Sequence, residues 1–175
     1  PTALPTNTPY PAPTPQPGAA VSVKVRVPVN TPAGSSLNLL MPDTVGGLAN
    51  RTFIMTGAGN NLWTAEFTAP IGSVLRYRYQ RLTGPQTAPE VQAGGAAIQY
   101  RTALVTGPTV LDDTVAAWSD TPFIGEAGRV TGIVRDASSN QGLPGLIVSA
   151  AGQQPFTGFD GEYVLWNVPA TAPLT

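Results

Sequence analysis

The sequence has no cysteine and no histidine among its 175 residues. That excludes disulfides, a thiolate nucleophile, an imidazole base and a Cys/His zinc site. Charge is scarce: 11% of residues, nine cations against ten acids, formal net charge −1. Nucleic acid and anionic membranes require clustered Lys/Arg, so neither is an expected partner. No apolar run reaches the ~18 residues of a membrane span. What is abundant is Pro and Gly, 19 of each, against ~12% combined in average usage. Long helices are therefore not expected, and a turn-rich all-β protein is. Hydrophobic residues, at 42%, suffice for a core.

The length allows one or two domains. The chain opens at Pro1 without an initiator Met or a signal-type segment, and reads as a processed product or an interior fragment. Residues 1–18 hold seven Pro, four Thr and no charge. Pro fixes φ and lacks an amide donor, so residues 1–19 read as an extended polyproline II stalk or linker. Thr2, Thr6, Thr8 and Thr14 are candidate O-glycan acceptors of such a stalk. Asn50-Arg51-Thr52 is an N-glycan acceptor tripeptide in an expected surface loop.

From Val21 the pattern changes. VSVKVRV alternates Val with Ser22, Lys24 and Arg26, the period of a half-buried strand. SLNLLM, RTFIMTG, NLWTAEFTA, VLRYRYQRL, IQYRTALVT and VLDDTVAAW follow as further strands, with TGPQTAPEVQAGGAA as a long loop. In VLRYRYQRL the aromatic Tyr77 and Tyr79 share the inward face, with Arg76 and Arg78 outward. A short linker covers 123–127. A second unit, 128–175, has strands expected at 129–135, 145–151 and 162–168, with a Gly-permitted hairpin turn at Asp160-Gly161. Strand runs at roughly ten-residue spacing point to β-sandwiches.

Two resemblances follow from these segments. The opening strand VSVKVRVPVNTPAG, then NLWTAEFTAPIGSVLRYRYQR, then YRTALVTGPTVLDDTVAAW make residues 20–122 resemble the starch-binding domain family, carbohydrate-binding module family 20. The order GRVTGIVRD, GLPGLIVSAAG, TGFDGEYVLWNVPA makes 128–175 resemble the carboxypeptidase-regulatory-like, transthyretin-like family. The resemblances imply two immunoglobulin-like or prealbumin-like sandwiches in series, the second incomplete. That family is a seven-stranded accessory module, and only three or four of its strands are present here. Either the chain continues past Thr175 or strands of another chain complete it.

Starch-binding domains hold glucans on exposed rings. The corresponding loops here, MPDTVGGLANRTF and TGPQTAPEVQAGGAA, offer Glu90 but no Trp. Rings for sugar stacking would come from Tyr10, Tyr100 or Trp118, while Trp63, Tyr77, Tyr79 and Trp166 read as core packing. Asp112 and Asp113 are adjacent and so point to opposite faces of a strand. They and Asp120, Asp160 and Glu162 read as surface charges, not as a calcium loop or a glycosidase pair. No catalytic residue, metal ligand or cofactor is assigned. The sequence reads as a non-catalytic extracellular or cell-surface structural protein, a filament or stalk subunit self-associating through open β-edges. The alternatives are a polysaccharide-binding module and an accessory fragment of a larger secreted enzyme.

Overall fold

The computed structural model describes residues 16–42, 48 and 50–170. Every regular element among them is a β-strand. Thr2, Thr6, Thr8, Tyr10 and Thr14 lie outside the described residues.

Strand β1 (Gly18–Arg26) shows how the sequence makes the fold. Its Val21, Val23 and Val25 are buried while Lys24 and Arg26 face water, as a two-residue period dictates. β1 pairs antiparallel with β5 (Leu62–Pro70) and parallel with β9 (Thr109–Thr114). β4 (Thr56–Gly59) extends this sheet beyond β5, in the order β4-β5-β1-β9. Asn60 and Asn61 both take positive φ between β4 and β5 (51° and 59°), which a two-residue hairpin of this twist requires.

The second sheet runs β10 (Ala117–Trp118), β7 (Gln86–Val91), β6 (Val74–Thr83), β2 (Ser36–Met41), β3 (Arg51–Ile54). β8 (Arg101–Leu104) joins it along the Val74–Tyr77 half of β6, and β7 along Gln80–Thr83. The inner faces of the two sheets share one core, including the three valines of β1, Leu111 of β9, Leu37, Leu39 and Met41 of β2, and Leu75, Tyr77 and Tyr79 of β6. This is a β-sandwich. Beyond it, β11 (Ala127–Ile133) and β12 (Glu162–Pro169) form a two-stranded ribbon with a register shift between Gly128 and Val130.

Several expected strands differ from those observed. RTFIMTG is two strands in different sheets, because the chain crosses over at the buried Met55, whose N–H donates to the Leu37 carbonyl (2.9 Å). VLDDTVAAW likewise divides, at buried Val115 and Ala116, into β9 of one sheet and β10 of the other. The expected loop 83–97 contains β7. Pro85 and Pro89 hide it in the sequence, since proline cannot donate to a ladder. Yet the Pro89 carbonyl still accepts from Ser119 N–H (2.9 Å). Residues 145–151 form no strand; only the isolated bridges Ile147–Phe156 and Ala150–Gln153 occur there.

Candidate functional site

The charged groups with the most elaborate geometry lie inside the sandwich. Glu90 of β7, Arg101 of β8 and Asp113 of β9 are all buried. The Arg101 guanidinium donates to Glu90 through Nη2 (2.8 Å) and Nε (3.1 Å), to Asp113 through Nη1 (2.9 Å), and to the Thr114 carbonyl through Nη2 (2.8 Å). The hydroxyls of Tyr77 and Tyr79 both donate to Asp113 Oδ2, at 2.9 and 2.7 Å. The backbone N–H of Tyr79 donates to Glu90 Oε1 (2.9 Å). Burial, and then the Asp113 carboxylate, push both phenols well above their ordinary pKa of 10.0. Burial works against the charge on Arg101, but Glu90 and Asp113 outweigh it and hold the guanidinium protonated.

The network ties strands of both sheets together and spends its polar atoms on one another. That is a structural role. It also corrects the reading of Asp113 as a surface charge. In β9 the inward period is Leu111, Asp113, Val115, so one of two adjacent aspartates had to enter the core. Its neighbour Asp112 faces outward and pairs with Arg26 (3.0 Å). Glu90 was missed as a core group because its strand was read as loop. Asp120 accepts from the buried Arg81 (2.5 Å), whose guanidinium lies over the Trp118 ring (5.9 Å). Among the described residues no group of three or more acidic side chains is placed to hold a metal ion.

The ring candidates separate. Trp118 is 0% exposed and its indole N–H donates to Thr31 Oγ1 (3.0 Å); it is a core residue and offers no face to a sugar. Trp63 is half-buried against the core, and Tyr77 and Tyr79 are within it. Trp166, expected in a core, is instead 57% exposed. The reason is register: in β12 it is the neighbouring Leu165 and Val168 that are buried. Asn50 is exposed, just ahead of β3.

Trp166 and the half-buried Tyr100 line one cleft of about 450 Å³ with Gln92, Gln99, Gln153 and Gln154. None of the cleft's lining residues is charged. Gln153 grips the backbone of Trp166, accepting from its N–H (3.1 Å) and donating to its carbonyl. Gln154 Nε2 donates to Thr102 Oγ1 of β8 (2.7 Å). The tip of the bridged hairpin is thus fastened to β12 through Gln153 and to β8 through Gln154.

A different surface lies on the ribbon and its loops. Among the described residues β11 and β12 pair in a ladder only with each other. Phe159 (90% exposed), Phe156 (67%) and Ile147 (59%) stand out in the same stretch, with Ile133 and Leu146 also exposed. These side chains place apolar surface in the same stretch as a ribbon whose strands, among the described residues, have no further ladder partner.

Fold and surface together define an all-β protein of sandwich architecture with a ribbon that, among the described residues, pairs in a ladder only within itself. No protein-family model and no curated protein matches the chain. A solved structure titled "Glycoside Hydrolase Family 15 Glucoamylase from Hypocrea jecorina" is similar at TM-score 0.45 with 18% identity, over 68% of this chain and 22% of that one. The chain therefore spans well under two thirds of that structure's length, and a likeness at this level carries no argument about function.

Proposed function

We propose that the chain is a non-catalytic structural module of an extracellular or cell-surface assembly, joined to further copies through the β11–β12 ribbon. In this reading residues 20–122 are a starch-binding-like sandwich used as a scaffold, and 128–175 are part of a transthyretin-like one. The observation that carries it is the ribbon: among the described residues two strands pair in a ladder only with each other, the β12 edge being met at Trp166 by the Gln153 side chain alone, and Phe156 and Phe159 stand in solvent in the same stretch. A lone two-stranded hairpin is marginal in water. Added strands supply main-chain hydrogen bonds and cover the apolar side chains. The buried charges give no support to catalysis, because they are matched to one another inside the sandwich.

Sedimentation velocity over a concentration series tests this. The weight-average sedimentation coefficient of the full chain rises with concentration. Phe159→Ser with Ile147→Ser lowers that rise without lowering the melting temperature, since both side chains are already exposed. A particle that stays monomeric up to roughly millimolar concentration, where even weak association would register, contradicts the reading.

A further inference from the structure

The cleft at Tyr100 and Trp166 has a chemistry of its own. Around it stand hydrogen-bond donors without partners. Among the described residues the Trp166 indole N–H, the Tyr100 hydroxyl and the side-chain amides of Gln92 and Gln99 make no hydrogen bond. The Arg76 guanidinium lies over the Tyr100 ring (5.1 Å) and that of Arg129 over the Trp166 ring (5.4 Å), yet neither arginine lines the cleft. The cleft therefore combines flat apolar rings, amide and hydroxyl groups that both donate and accept, a donor-only indole and no charge. It suits a neutral ligand that packs flat apolar rings and offers carbonyl acceptors beside them.

The first seventeen residues of this chain have that composition. PTALPTNTPYPAPTPQP carries no charge, and Pro stands at every second position from Pro9 to Pro17. Each Pro contributes a carbonyl and no N–H, so the tract has more acceptors than donors. Proline-rich segments dock on aromatic-lined grooves, where rings pack against rings and little conformational entropy is lost.

We propose that the Tyr100–Trp166 cleft receives the proline-rich N-terminal tract of a second copy of this chain. Direction favours a neighbour over the chain's own tract. The tract joins the fold beside Ile71, whose N–H donates to the Pro17 carbonyl (2.9 Å). That is next to Val74, which pairs with Leu104 at the end of β8 away from Tyr100. A tract of 15 residues spans up to about 46 Å at 3.1 Å per residue, enough to reach an adjacent molecule. Tract and cleft are different surfaces, so the contact is heterologous and builds a ring or an open chain of subunits according to the rotation between them. The inference rests on the assembly reading above, but uses different residues.

The absence of cysteine supplies the test. A nitroxide is placed on Thr8→Cys of full-length chain at natural isotope abundance, then mixed with untagged ¹⁵N-labelled full-length chain. Only contact between copies can then broaden the labelled protein. The Trp166 indole resonance is expected to lose roughly half its intensity at concentrations on the order of 0.5 mM, a range suited to weak contacts, while the buried Trp118 indole keeps its own. Tyr100→Ala in the labelled partner restores most of the Trp166 signal. An unbroadened Trp166 resonance in the mixture overturns the proposal, whether the tract binds within its own chain or nowhere. So does a Trp166 signal that ignores the tagged chain but shifts on adding a linear maltooligosaccharide, which would make the cleft a sugar site. Sedimentation of the Phe159→Ser, Ile147→Ser chain is scored separately, so failure of tract docking and failure of ribbon assembly are told apart.

Discussion

Arg101 has the heaviest structural burden of any single residue. Its removal leaves the Glu90 and Asp113 carboxylates buried without their cation. Arg101→Met is therefore expected to cost about 3–5 kcal/mol, the range for breaking a buried pair from one side, read as a lower urea midpoint. The phenols give a second test. The pKa values of Tyr77 and Tyr79 are raised in the folded state, so the folded protein holds protons that the unfolded chain loses above about pH 10. Their stabilising contribution is full below pH 10 and declines as pH rises beyond it. Thermal melts from pH 8 to 11 should show a melting temperature that drops above about pH 10, and that drops less in a Tyr77→Phe chain. At this scale the sequence was readable where a residue obeyed the strand period. Tyr77 and Tyr79 alternate with arginines on a plain period-two strand. Trp166 was not readable, because in EYVLWNVPA apolar residues occur in both phases and only the observed register exposes the indole.

Elements were legible where periodicity alone defines them, as in β1, β5 and β6. They were not where the chain changes sheet in mid-segment. RTFIMTG has uninterrupted strand chemistry, and nothing local marks Met55 as a crossover; only the partners available in three dimensions do. β7 was hidden by its prolines, and with it Glu90. Two glycines hold the ribbon to its loops. A Cβ on Gly142 would collide with the Asp160 backbone, and one on Gly161 with the Val134 carbonyl, where φ is also +78°. Gly142→Ala and Gly161→Ala should each destabilise the ribbon by about 1–3 kcal/mol through overpacking or strain. Native-state hydrogen exchange reads this locally. Amides of β12 lose protection in either variant, while those of β1 and β6 keep theirs. Equal loss throughout would mean that ribbon and sandwich open as one unit.

Across the whole molecule, chemistry and shape divide. The sandwich encloses Glu90, Arg101 and Asp113 and leaves charges such as Lys24, Arg26 and Asp112 facing outward. Among the described residues, the stretch from Ala127 onward has little core of its own, with Leu165 and Val168 buried, and exposes six of the eleven large apolar side chains that face solvent. That imbalance is what supports the proposed assembly, and it was legible in the sequence only as a shortage of strands after Gly128. The Gln154–Thr102 bond and the packing of Ile98 at Gly152 join the two regions beside the cleft. Gln154→Ala is accordingly expected to loosen that junction and to raise exchange at the Trp166 backbone N–H, with the sandwich melt unchanged. The central claim is that other copies add strands to the ribbon, which among the described residues has none beyond β11 and β12. Hydrogen–deuterium exchange of the full chain at increasing concentration tests it most directly, because association shifts protection by mass action. Outer-edge amides of β11 and β12 other than that of Trp166, which Gln153 already holds, should become progressively protected as concentration rises, and Phe159→Ser should blunt the effect. Exchange at those amides that stays the same across the whole concentration range would contradict it.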